Sequence, residues 1–96
     1  MIIVLGSVVV QQGHLAQALA LSLEHVARSR TEPGCVAHGV HQDAENPLRL
    51  VFVEEWSDAD ALGLHFKLPA SRAFVKALTP LASAAPQMAV YQAQRT

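Results

Sequence analysis

Histidine changes charge nearer to neutral pH than any other unperturbed side chain. The chain has five of them in 96 residues. Two lie three apart, His38 and His41, in the stretch "EPGCVAHGVHQD". Strand side chains alternate between faces, so residues three apart point to opposite sides and cannot hold one ion. No H-E-x-x-H pattern or cysteine pair offers another ligand set. A dedicated metal site is therefore not expected, although His41 is free to meet its counterpart from a second chain near a two-fold axis. His65 follows Leu62 by three and precedes Phe66, which places it on the core-facing side of a helix. A buried neutral imidazole there is a candidate general base. His38 is the second candidate, because it shares a strand face with Val36 and Val40 beside the face of Glu54 and Trp56. A polar group among such neighbours needs a partner. His25, at the edge of the first helix's core face, is expected at the surface, and His14 in a solvated first turn.

Other residues fill out a candidate pocket around these bases. Glu54 points inward by strand parity and is placed to pair with His38 or His65. Trp56 is expected as a core anchor whose indole N–H can also meet a ligand oxygen. Phe52, Leu62, Phe66, Phe74 and Leu78 supply apolar bulk. Ala18 and Ser22 thin the first helix above the sheet. The expected product is a mainly apolar cavity with a few polar groups, which suits a flat aromatic ligand. Core packing explains each apolar residue equally well. Cys35 lacks a sequence sign of activation and reads as a small buried residue.

The elements that must position these residues are legible from periodicity. Residues 2–10 are rich in β-branched side chains and predict a strand. Residues 14–29 change to helical spacing, with Leu15, Ala18, Leu19, Ser22 and Val26 on one face. Glu32-Pro33-Gly34 ends that helix. Residues 35–42 and 48–56 predict a hairpin across the polar turn 43–47. Ser57 is the expected N-cap of a short helix reaching about Lys67, where Leu68-Pro69 breaks it. A further helix is expected over about 70–84, then a strand over 87–93 and a frayed tail. This order is the βαββαβ pattern of ferredoxin-like α+β folds, a four-stranded antiparallel sheet with helices on one face. On the other face, Ser7, Val9, Val51 and Val53 leave an apolar surface with no helix to cover it. Glu55 belongs to that side and is placed to pair with Arg49 or with a residue of a partner chain. A second copy packed sheet to sheet is the simplest lid.

Composition narrows the function classes. The length suits one domain, 1–96, with a core of about 2–93. The net charge of −1 provides no basic stripe for nucleic acid. No segment predicts a membrane span, and the start lacks the flanks of a signal peptide. One cysteine permits no intrachain disulfide. The expectation is a soluble cytoplasmic protein.

The ordered set Glu32-Pro33-Gly34-Cys35, His41-Gln42-Asp43, Glu54-Glu55-Trp56, Ala61-Leu62 with His65, and Ser71 with Phe74 resembles the antibiotic biosynthesis monooxygenase family, in particular its small quinol-monooxygenase-like members. The similarity runs over almost the whole chain. It implies a dimeric α+β barrel with a pocket in each subunit between sheet and helices. It also implies oxidation of phenolic or quinol-like aromatics by O2 without flavin, haem or metal. Two departures from the family pattern, His38 where tyrosine is frequent and the small Ala18 and Ser22 on the first helix, imply a wider or more polar pocket. A haem-degrading branch resembles the same barrel, but its ligand position aligns with Leu78, which cannot ligate iron.

The leading expectation is thus a cofactor-independent monooxygenase of small electron-rich aromatics. His65 or His38 is the base, Trp56 orients the ring, and Glu54 sets a histidine's protonation. Two rival expectations use the same pocket. One is a non-catalytic module that binds or senses a small molecule. The other is an isomerase or lyase that abstracts a proton without oxygen.

Overall fold

The computed structural model of the chain describes all residues, Met1–Thr96. The elements run β1 (Ile2–Val9), α1 (Leu15–Ser29), β2 (Cys35–Gln42), β3 (Arg49–Trp56), α2 (Ala59–Lys67), α3 (Pro69–Leu78), a 3-10 turn (Thr79–Leu81) and β4 (Gln87–Gln92). The strands form one antiparallel sheet in the order β2-β3-β1-β4. This is the expected ferredoxin-like α+β architecture.

Strand parity sorts the side chains. Ile2, Val4 and Val8 of β1 and Leu50, Phe52, Glu54 and Trp56 of β3 are buried on the helix side. Two apolar clusters fill the space below the helices. The larger gathers Val8, Val10, Ala18, Val26, Leu50, Phe52, Leu78 and Leu81, and the smaller Ile2, Val4, Trp56 and Leu62. The opposite face carries Ile3, Ser7, Val9, Val51 and Val53, all only half-buried, with Leu5 44 % exposed. No helix of the chain is long and apolar enough to cross a membrane.

Four local expectations are corrected. Strict alternation in β2 would turn Val36 inward and Cys35 outward. Instead a bulge sits between Cys35 and Ala37, so Cys35 pairs with Trp56 and His38 with Glu54. The extra residue lets Cys35 join the smaller core cluster while Val36 is 58 % exposed. A bulge places two residues against one and so resets the face. Asp58, not Ser57, caps α2; its carboxylate accepts from the Ala61 N–H at 2.8 Å. A carboxylate also complements the positive end of the helix dipole better than a hydroxyl. Finally, α3 ends at Leu78 rather than near residue 84. Pro80 has no N–H to continue the helix, and the chain tightens into the 3-10 turn before Ala82 bridges to Val10. On the open sheet face, Arg49 pairs with Asp43 at 3.1 Å rather than with Glu55.

The expected break at Leu68-Pro69 is present. Leu68 is extended, with φ −61° and ψ 136°, and both ends α2 and begins α3. The residue before a proline is pushed out of the helical region, so the two helices meet at a corner rather than run on. That corner sets α3 against α1, beside the sheet.

Two glycines have positive φ, and they differ in surroundings. Gly13 (φ 93°) has open space where a Cβ would sit, whereas a Cβ on Gly34 (φ 83°) would lie 2.5 Å from Ala61 Cβ. Gly13→Ala is expected to cost only the left-handed strain, about 1–2 kcal/mol. Gly34→Ala adds a clash between the turn and α2, and is expected to cost more than twice as much in urea unfolding. Equal losses would show that the turn is free to shift away from α2.

Candidate functional site

Four elements and one turn converge beneath α3. His25 comes from α1, Glu32 from the turn that follows it, His38 from β2, Glu54 and Trp56 from β3, and His65 from α2. All three histidines are buried, as are Glu54 and Trp56. Trp56 is completely inaccessible and donates its indole N–H to Glu54 Oε1 at 2.9 Å. His38 Nε2 lies 3.3 Å from that same oxygen, in ion-pair contact but off the line of a good hydrogen bond. His65 Nε2 is 3.9 Å from it. Burial raises the Glu54 carboxyl's pKa, but His38, the indole and His65 outweigh this and hold it below the usual carboxylate range. Glu54 is therefore an ionised carboxylate in the interior.

His65 has a second carboxylate on its other nitrogen. Its Nδ1 lies 2.8 Å from Glu32 Oε1 and 3.5 Å from the Ser71 hydroxyl. With Nδ1–H donated to Glu32, Nε2 is left on the Glu54 side. This is the geometry by which a carboxylate fixes an imidazole's tautomer and stabilises its protonated form. His25 is treated differently. Arg28 donates to its Nδ1 at 3.0 Å and also to the Ala70 carbonyl at 3.3 Å. The His25 ring stacks on Phe74 at 4.0 Å and 5°. Burial, then His38, His65 and Arg28, lower its pKa to about 3 against the opposing pull of Glu54. His25 is thus a neutral imidazole at any ordinary pH.

A cavity of about 440 Å³ opens onto this group. Its wall includes His25, His38, Glu54, His65 and Ser71 at the buried end, and Phe52, Phe66, Phe74, Val75 and Met88 among its apolar residues. That size lies within the range of small-molecule pockets, about 300–1,000 Å³. A second cavity, about 280 Å³, lies across His65 and is bordered by Glu32, Pro33 and Lys67.

The chain matches the model of the antibiotic biosynthesis monooxygenase family over residues 1–77. It belongs to the antibiotic biosynthesis monooxygenase family. A crystal structure from Deinococcus radiodurans that carries this family name provisionally is similar over 100 % of this chain and 95 % of its own, with a TM-score of 0.95 and 25 % identity. A conserved protein from Methanosarcina mazei shares the fold at a TM-score of 0.92 and 24 % identity, over 97 % of this chain and 92 % of its own. An uncharacterised Synechocystis protein is 28 % identical over 99 % of this chain. The chain spans 65 % of that relative's length.

Within this monooxygenase-family domain, the proposed site residues separate into two groups. His38, His65, Glu54, Phe52, Phe66 and Phe74 line the cavity. Trp56, Leu62 and Ser22 do not. Trp56 lies beneath Glu54 with its N–H already engaged, Leu62 packs on Ile2, Val4 and Trp56, and Ser22 is fully buried. Two participants were not anticipated. His25 was expected at the surface, yet it is only 6 % exposed. The signal was available: Ala18, Ser22, His25 and Ser29 follow at steps of four, three and four, and all are buried. Glu32 gave no such signal, because its partner lies 33 residues away.

The inward turn of His25 also creates a cluster the sequence did not predict. Ring nitrogens of His25, His38 and His65 lie within 4.8 Å of one another. As a metal cradle it fits poorly. The Arg28 guanidinium donates to Nδ1 of His25, so the neutral ring carries its proton on Nε2 and offers an ion no free lone pair. A cation would have to sit close to the guanidinium or displace it. The same arrangement suits proton transfer, with a carboxylate behind each of His38 and His65. Cys35 adds no nucleophile, since burial, Glu32 and Glu54 push its thiol pKa up.

The state of His25 gives a stability prediction. Folded, it takes a proton only near pH 3, against 6.5 for the free side chain. Its contribution is complete above pH 6.5 and is lost as pH falls toward 3, because the unfolded chain binds the extra proton. Between pH 7 and 5 this group alone removes up to about 1.4 kcal/mol per pH unit of unfolding free energy. His25→Gln is expected to flatten that slope in urea titrations, and an unchanged slope would show that His25 is not held neutral.

Proposed function

We propose that this domain oxidises small phenolic or quinol-type aromatics with O2 and no cofactor, with His65 as the base. The observation that carries this reading is the His65 geometry, with Nδ1 on Glu32, Nε2 3.9 Å from Glu54, and the residue in the wall of an apolar cavity. His65 Nε2 removes the phenolic proton, and Glu32 stabilises the imidazolium that results. The anion passes one electron to O2. The two radicals join in a carbon–oxygen bond, and the peroxide loses water to leave a carbonyl. The balance is one C–H and one O–H oxidised per O2, giving a quinone and one water. Glu54, ionised and bound by Trp56, keeps His38 oriented as the second polar contact for the substrate oxygen. Phe52 and Phe74 supply ring contacts, and the apolar wall shields the intermediates from bulk water. Membership of the family and the monooxygenase name of the similar structures support the reaction class. The single Cys35, free of any disulfide, is in keeping with a reducing cytoplasm.

The open sheet face is assigned to a second copy of the chain. Leu5, Ile3, Val51 and Val53 form an apolar face of a kind that monomers seldom leave in water. Light scattering is expected to give twice the 10.3 kDa chain mass, and Leu5→Lys with Val53→Lys to give the monomer. A monomeric wild type would remove this assignment.

Oxygen uptake by chelator-treated protein, with a panel of quinols and anthrone-type phenols, tests the chemistry. His65→Gln is expected to lower kcat by on the order of 10²–10⁴, and Glu32→Gln to lower it less. Uptake no faster than the buffer blank, or uptake indifferent to His65→Gln with the fold retained, would sink the reading. Saturable binding without turnover would then assign a binding module. Equal turnover without O2 would assign an isomerase or lyase.

A further inference from the structure

The cavity has two chemically different ends. The buried end holds His38, Glu54 and His65. The exposed end carries Arg72 and Lys76 of α3. They are four residues apart, so they stand on one side of the helix, one turn from each other. No carboxylate lies within ion-pairing distance of either.

Charge along the chain reinforces this. All eight acidic residues fall between Glu24 and Asp60. Residues 61–96 contain four cations, Lys67, Arg72, Lys76 and Arg95, and no acid. A chain with net charge −1 therefore presents a positive last third, and α3 brings part of it to the cavity mouth. The only acid on the wall is Glu54, which is buried and held by Trp56 and His38. A cleft lined by one sign of charge concentrates ligands of the other.

Both cations belong to the helix that reaches His65. Ser71 touches His65, and Arg72 and Lys76 follow it one and five residues later, about 1.5 and 7.5 Å along the helix axis. The wall between the ends is apolar, with Phe74 and Val75 contributed by the same helix.

We propose that the cavity selects phenols or quinols that carry a carboxylate, with Arg72 and Lys76 as the anion subsite. The orientation, hydroxyl toward His65 and acid toward α3, rests on the proposed function; the preference for an anion does not. Arg72 offers the carboxylate two parallel N–H donors and Lys76 a point charge.

The test compares 6-hydroxy-2-naphthoate with 2-naphthol, which differ by the carboxylate alone. Both are titrated calorimetrically into wild-type protein without O2, so binding is read whether or not the protein oxidises anything. The naphthoate is expected to bind about tenfold more tightly at low salt, and added NaCl to reduce the ratio. In Arg72→Ala with Lys76→Ala the ratio is expected to approach one, while Lys76→Arg retains it. Equal affinities in the wild type, no binding of either probe, or an advantage that survives the double variant would each overturn the proposal.

Discussion

An ionised carboxylate in the interior organises this domain. Glu54 is buried between sheet and helices, where an unpaired charge is prohibitively unstable. Its Oε1 has the Trp56 indole N–H at 2.9 Å and His38 at 3.3 Å, with His65 slightly farther at 3.9 Å. These contacts come from β2, β3 and α2, so all three must be in place before the charge is compensated. Trp56 serves two ends at once, since its ring also anchors the smaller core cluster with Ile2, Val4 and Leu62. Core packing and site electrostatics thus share one side chain.

The second carboxylate works from outside. Glu32 has a side chain 12 % exposed, and His65, its partner, is 3 % exposed. One imidazole therefore lies between a wetter glutamate and a drier one. His25 completes the group as a neutral ring, kept so by burial and by its neighbours, and pressed flat on Phe74. The polar end of the cavity mixes fixed charge, a neutral spacer and two imidazoles backed by carboxylates. That division of roles is what perturbed groups at functional sites commonly display.

Much of the fold was legible because period-two and period-3.6 patterns report burial directly. Four strands, the helix break at Leu68-Pro69 and the inward faces of β1 and β3 all follow from such patterns. The misplaced features are those where one residue overrides the pattern. The bulge at Val36 shifts parity in β2, and Pro80 cuts α3 short. At the site, His38, Glu54 and His65 were readable from their faces. Trp56, Leu62 and Ser22 were readable as inward but not as hidden beneath the cavity, because parity reports the side of a sheet and not the depth. His25 was misjudged because a polar residue on a helix edge is ordinarily solvated. Its place inside depends on Arg28, one turn on along the same helix, and on Phe74 and two other histidines, which come from other elements. Glu32 was invisible, since no periodicity links a turn to a helix 33 residues later.

His65 also stands between two cavities, with Glu32 on the border of the smaller one. In the proposed reaction the proton taken from the ligand returns to it in the departing water, so it needs storage and not export. Glu32 steadies that store from the Nδ1 side of the ring. The large mouth then has to pass only the ligand, O2, product and water. The domain can hold its ligand dry through a whole turnover without exchanging acid with the surroundings.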